Sequence, residues 1–356
     1  MKTLRYMIGV LLITCVVFAT AHAQSISQIV VLGDSLSDNG NFFAAAGLPS
    51  PPYWQGRASN GPVAVEYLAR SLMAPLRDFA WYAATTGVGN LADGGTVDAF
   101  GAFSLPGITT VFQGALSANQ FPIDPNALYI VWGGPNDFWY VTTPAEASVA
   151  IGKAVTNLMT IVGTLQSLGA TQILVPNMPD LGKTPYLLEA GPEASAFFTH
   201  LSLGFNQTLQ ANLLPGVHYF DTFSLFSDII GNPSHYGFAN VTDQLINAPG
   251  ADPNSYFFFD VVHPTTAGHA VIANALYQSA APTVIIGGCN SGVPNELFST
   301  GRTISDMIIQ AGYEAKNHGQ FVSAVASITN ELVKSGVISG KQKGAIQSCG
   351  AGAKTP

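Results

Sequence analysis

Three short stretches of this chain carry residue types that could together move an acyl group. The first is "VVLGDSLSDNG" (residues 30–40), which sets Ser35 between Asp34 and Asp38. A hydroxyl is a poor nucleophile at neutral pH until a base takes its proton, so Ser35 needs a partner. Six histidines follow residue 23 (His200, His218, His235, His263, His269 and His318), and His263 stands apart because Asp260 precedes it by three residues in "FFFDVVHPTTAGHAV". At that spacing a tight turn can press the carboxylate against Nδ1, fix the tautomer and leave Nε2 facing the serine. The third stretch, "YIVWGGPNDFWY", offers Asn136, whose side-chain amide is a competent donor to a developing oxyanion.

These residues must be brought together by the elements around them. Residues 28–32, 128–131, 172–175 and 217–220 are short apolar, β-branched runs that read as buried strands. Between them, residues 144–168 and 194–214 show helical spacing and are stopped by Gly169 and Pro215. Strands alternating with helices longer than about ten residues imply βαβ units, and hence a parallel α/β sheet covered on both faces. Ligands of such sheets bind beyond the carboxyl ends of the strands, where Ser35 and Asn136 both fall. Residues 75–124, rich in Gly, Ala and aromatics without clear periodicity, read as an irregular insertion or lid.

Composition narrows the setting. With 356 residues, 47% hydrophobic and 10% charged, the chain can bury a large core. Residues 1–23 read as a secretory signal: Lys2 and Arg5, then an apolar centre, then the small-x-small site Ala21–Ala23. Its removal leaves no membrane-spanning helix expected in the mature chain and 11 basic against 21 acidic residues, which disfavours nucleic acid as a partner. Residues 24–282 carry five basic and 17 acidic residues, whereas 283–356 carry six and four, so the two segments are read as a main domain and a C-terminal appendage. Within the appendage, residues 303–316, 317–336 and 340–349 read as three short helices. Cys289 and Cys349 bracket it and read as a disulfide, with free thiols as the other possibility. Closing a ~60-residue loop contributes about 4 kcal/mol in the chain-entropy model.

Other chemistries fit less well. "GVGNLA" (residues 87–92) follows no clear strand and opens no helix, as a dinucleotide site requires. His263 and His269 lack the spacing and cysteines of a zinc site, and His269 is read as structural. Asp34, Asp38 and Asn39 do not follow a calcium loop and are read as caps of the turn around Ser35. No metal and no cofactor are expected.

With "GDSLSDNGNFF", "GGPNDFW" and "DVVHPTTAGH" in this order, the sequence resembles the GDSL esterase/lipase family of the SGNH hydrolase superfamily over residues 24–279. The resemblance implies a flavodoxin-like three-layer α/β/α fold and hydrolysis of a small-molecule or lipid ester through an acyl-serine. It implies Ser35 as nucleophile, His263 as base and Asp260 as its orienter. The oxyanion hole would combine the Ser35 backbone N–H, the Asn136 side chain and a backbone N–H of a further block. That block departs from the family pattern: it reads "DFAWYAATTG", with Ala83 at the donor glycine and Gly87 as the rival position. Acyl transfer to an alcohol, or a non-catalytic binding protein on the same fold, are the alternative readings. Phe138, Trp139 and Tyr140 beside the site suggest an apolar acyl group.

Overall fold

The computed structural model describes residues 26–353, so the export signal expected over residues 1–23 lies outside the described residues. Four apolar runs form the expected strands, β1 (Ile29–Gly33), β3 (Leu128–Trp132), β4 (Gln172–Pro176) and β5 (Val217–Phe220). With β2 (Leu76–Asp78) they make one five-stranded sheet, all parallel, in the order β2-β1-β3-β4-β5. This is the flavodoxin-like order, whose topological switch point lies between β1 and β3. β2 falls inside the stretch 75–124, as does helix α3 (Ile108–Ser117), so that stretch is not wholly an irregular insertion. A three-residue edge strand reading Leu-Arg-Asp, none of it fully buried, leaves no apolar run to detect.

Alternate strand residues feed two cores. Val30, Leu32, Tyr129, Val131, Ile173 and Val175 pack with α3, α4 (Pro144–Ser167) and α6 (Pro192–Ala211) on one face. Ile29, Val31, Leu128, Ile130, Trp132 and Leu174 pack with α2 (Ala64–Leu72), α7 (Thr222–Gly231) and α8 (Thr266–Ala280) on the other. The result is the three-layer α/β/α architecture. Two short helices, α1 (Asn41–Ala46) and α5 (Pro185–Glu189), follow the ends of β1 and β4. Helix α4 starts sharply because the Thr143 hydroxyl accepts from the Glu146 N–H, the Glu146 carboxylate accepts from the Thr143 N–H, and Pro144 opens the first turn. It is the one helix among the described residues long and apolar enough to cross a membrane, and here its apolar stripe lies against the sheet.

Beyond α8 the chain forms a hairpin, β8 (Thr283–Ile286) and β9 (Cys289–Pro294), then α9 (Ile304–Glu314), α10 (His318–Lys334) and α11 (Gly340–Gly352). The three helices lie where their periodicity sets them; the hairpin adds to that reading. These elements share an apolar cluster of their own, and Cys289 is bonded to Cys349 across 60 residues. The segment is also tied to the main body. His218 Nε2 on β5 meets Asp306 Oδ2 on α9 at 2.8 Å and the Ser279 hydroxyl on α8 at 2.9 Å, all three residues buried. A buried polar group that loses its partner costs about 1–3 kcal/mol, so these hydrogen bonds between β5, α8 and α9 dock the appendage rather than leaving it loosely tethered.

Candidate active site

The site grows from the end of β1. Gly33 closes that strand 2.8 Å, counted from a notional Cβ, from the Trp132 carbonyl oxygen of β3, so only glycine lets the two backbones approach here. The chain then turns through Asp34–Asp38, with the Ser37 and Asp38 N–H groups both donating to the Asp34 carbonyl. Asp38 caps as expected and does more: its carboxylate accepts from the N–H groups of Gly40, Asn41 and Phe42 at the start of α1, and from that of Tyr82. One buried side chain thereby locks the serine turn to the Ala83 turn.

His263 arrives from the other side. After β7 (Tyr256–Phe258), which pairs with β6 (Asn240–Gln244) outside the main sheet, Asp260 Oδ1 accepts from the N–H groups of Val262 and His263 at 2.9 and 2.8 Å. That closed turn swings the imidazole back, and Nδ1 lies 2.8 Å from Asp260 Oδ2. Nε2 lies 2.8 Å from the Ser35 hydroxyl. The three side chains are thus brought into one hydrogen-bonded line, each residue less than a tenth exposed. The next turn ends at α8, capped by the Thr265 hydroxyl. His269 lies buried in α8 with Nδ1 accepting from the Ala64 N–H, and burial lowers its pKa to about 3, so it stays neutral and structural.

Electrostatics favour a working base. Burial, the largest influence on His263, opposes its protonation, but the charge and hydrogen bond of Asp260 and the charge of Asp34 outweigh it and raise its pKa above 6.5. Asp34 itself is pushed up to about 6 by burial, and its Oδ2 has no hydrogen-bond partner among the described residues. A base must be neutral to accept a proton, so with His263 as the base the rate would fall as pH drops through its pKa. The pH profile of kcat/KM on p-nitrophenyl butyrate should therefore show an acid limb with its midpoint above 6.5; a midpoint well below that value would contradict this environment.

The donors converge on the same cavity. Ser35, Ala83, Asn136 and His263 all line it, with Leu36, Tyr82, Leu91, Trp139 and Leu181 among its apolar and aromatic walls. Asn136 lies in the turn after β3, its amide orientation set on both sides: Oδ1 accepts from Trp139 Nε1–H at 3.3 Å and Nδ2 donates to the Ala84 carbonyl at 3.0 Å. The Ser35 and Ala83 N–H groups have no acceptor among the described residues. Ala83 adopts φ +58°, in the left-handed region that favours glycine. Alanine holds a conformation here that glycine reaches with less strain, at a cost of about 1 kcal/mol. Gly87 is placed elsewhere, packed against the Val97 carbonyl, where a Cβ would clash. Of the three aromatics after Asn136, Trp139 lines the cavity, Phe138 is buried in the core against Phe205, and Tyr140 is exposed.

Two features escape sequence reading. Tyr53 donates its hydroxyl to Asp260 Oδ2 at 2.8 Å from a loop 207 residues away, in a stretch without periodicity. Asp137, beside Asn136, accepts from the N–H and hydroxyl of Thr86, and burial pushes its pKa up to about 7. It ties the turn after β3 to the loop after Ala83.

A family model described as GDSL-like lipase/acylhydrolase matches residues 29–276. The chain is similar to the thermolabile hemolysin of Vibrio parahaemolyticus, 27% identical over 300 residues covering 74% of this chain and 66% of that protein. It is also similar to the phosphatidylcholine-sterol acyltransferase of Aeromonas hydrophila, 30% identical over 247 residues covering 64% of this chain and 68% of that one. The chain therefore spans about two thirds of the length of these relatives. Among solved structures, a member of the lipolytic protein G-D-S-L family from Veillonella parvula aligns at TM-score 0.37 and 12% identity, covering 69% of this chain and 94% of that one.

Proposed function

Because the chain belongs to the GDSL-like lipase/acylhydrolase family, we propose that it is an exported hydrolase of carboxylic esters working through an acyl-Ser35 intermediate. The observation that carries this reading is the contact of Ser35 Oγ with His263 Nε2, with Asp260 behind the ring. His263 takes the hydroxyl proton as Ser35 Oγ bonds to the ester carbonyl carbon. The resulting oxyanion is received by the Ser35 and Ala83 N–H groups and by Asn136 Nδ2. Collapse breaks the bond to the alcohol, which leaves with the proton from His263. Water then attacks the acyl-serine with His263 again as base, releasing the acid and restoring Ser35. Acyl transfer is the second reading, favoured by the similarity to an acyltransferase: an alcohol takes the place of water at the last step.

Residues 24–282 carry the whole cavity lining and are read as the hydrolase domain, with 283–356 as its accessory segment. The N-terminal signal pattern supports export, as does the Cys289–Cys349 disulfide, since such bonds persist in oxidising compartments. The cavity encloses about 170 Å³, below the ~300–1,000 Å³ of sites that hold drug-sized ligands. It accommodates a short acyl group. Turnover of p-nitrophenyl butyrate and p-nitrophenyl palmitate, compared by kcat/KM, should favour butyrate by roughly tenfold or more, since a cavity of this volume does not take in the rest of the palmitoyl chain. A preference for palmitate would contradict the short-acyl assignment.

A further inference from the structure

We propose that Tyr53 is a positioning residue for the Asp260–His263 pair, a role that rests on the reading of Ser35, His263 and Asp260 as an ester-cleaving triad. The geometry is specific. Asp260 Oδ1 is occupied by the N–H groups of Val262 and His263 and, at 3.0 Å, by His263 Nδ1. Oδ2, the oxygen closest to Nδ1, has one further donor, the Tyr53 hydroxyl at 2.8 Å. Without it, the plane of the carboxylate is fixed from one side only, and a buried carboxylate oxygen loses a donor it cannot replace from water.

Tyr53 is itself held for this task. Its ring stands edge-on to Phe259, the residue before Asp260, with centroids 5.2 Å apart. Its N–H donates to the Ser50 carbonyl, and the neighbouring Trp54 N–H donates to the Ser59 carbonyl, so the loop is anchored on both sides of the phenol. The hydroxyl cannot act as an acid or base: burial, then the Asp260 charge, raises its pKa far above the range in which enzymes work. It donates and remains protonated. It touches Asp260 and not the reacting serine, so it acts through the carboxylate.

The consequence for His263 has a sign. A hydrogen bond to an ionised carboxylate spreads its charge; removing the donor concentrates that charge on Nδ1–H and strengthens the imidazolium. The titratable groups facing His263 are Asp260 on its own turn, Asp34 from the β1 turn, Tyr82 from the Ala83 turn and His269 from α8, and of these only Asp260 is hydrogen-bonded to Tyr53, so the substitution acts on His263 through that carboxylate. Tyr53→Phe keeps the ring and its contact with Phe259 and removes only the donor.

The test measures Tyr53→Phe against the unsubstituted protein in two ways, by steady-state kinetics on p-nitrophenyl butyrate and by NMR titration of the His263 ring. The expected result is a kcat about tenfold lower, the worth of one charge-assisted hydrogen bond, with KM within about twofold. Alongside it, the acid limb and the His263 titration should both move up by about half a pH unit. An unchanged kcat and an unchanged titration would overturn the role while leaving ester hydrolysis standing. So would a lower kcat without movement of the titration, because packing alone does not shift a pKa in this way. If the unsubstituted protein fails to turn over the ester, the ester reading falls, and the NMR titration still decides whether Tyr53 governs the Asp260–His263 pair.

Discussion

Replacing Ser35 with alanine is expected to lower kcat on p-nitrophenyl butyrate by about 10⁴- to 10⁶-fold, as removal of the nucleophile does in other serine hydrolases. In the proposed mechanism the hydroxyl oxygen forms the covalent bond, and among the described residues lining the cavity no other offers a nucleophile paired with a base. What survives is the contribution of the oxyanion donors and of binding. Folding should be spared, because the Ser35 side chain makes one hydrogen bond and its turn is built by the Asp34 carbonyl and the Asp38 carboxylate. Circular dichroism and a thermal melt alongside the kinetics separate the two effects. Turnover above about a hundredth of the original in the folded variant would sink Ser35 as the nucleophile.

The second large effect belongs to Asn136. Its Nδ2 carries two hydrogens, and the bond to the Ala84 carbonyl uses one, which leaves the other for the cavity. Because Trp139 grips Oδ1, the amide cannot rotate its oxygen into that place. The donor is therefore present before substrate arrives, the condition under which it acts on charge that develops only in the transition state. Asn136→Ala should lower kcat by roughly 10²- to 10³-fold with little change in KM. A kcat within about threefold of the original would show that the "GGPND" turn only reverses the chain, as such turns often do.

How much of this was legible follows from where each signal lies in the chain. Asp260 and His263 are three residues apart, so their geometry is a property of one turn and can be read locally. Ser35 and Asn136 follow apolar runs, and the rule that parallel sheets bind ligands at their carboxyl ends carries both to one edge. Ala83 is harder. The alignment of "FAWYAATTG" finds its position, but the φ of +58° is set by the Tyr82 N–H bond to Asp38 and the Asn90 amide on the Tyr82 carbonyl, neither visible in the sequence. Tyr53 gives no signal at all, since its partner is 207 residues away. The same holds for β2, whose pairing with β1 needs no apolar pattern, and for the His218–Asp306 contact that docks the appendage. Local chemistry is legible; closure between distant segments is not.

The central claim is that Ser35 is activated by His263, and a fluorophosphonate probe tests it most directly, because it reacts with a serine only when a base withdraws its proton. The protein is labelled, digested and mapped by mass spectrometry, with His263→Ala treated in parallel. The account predicts a single phosphonyl adduct on the peptide containing Ser35, and its loss in His263→Ala. No adduct on Ser35, or an adduct on another serine that persists in both proteins, would contradict it.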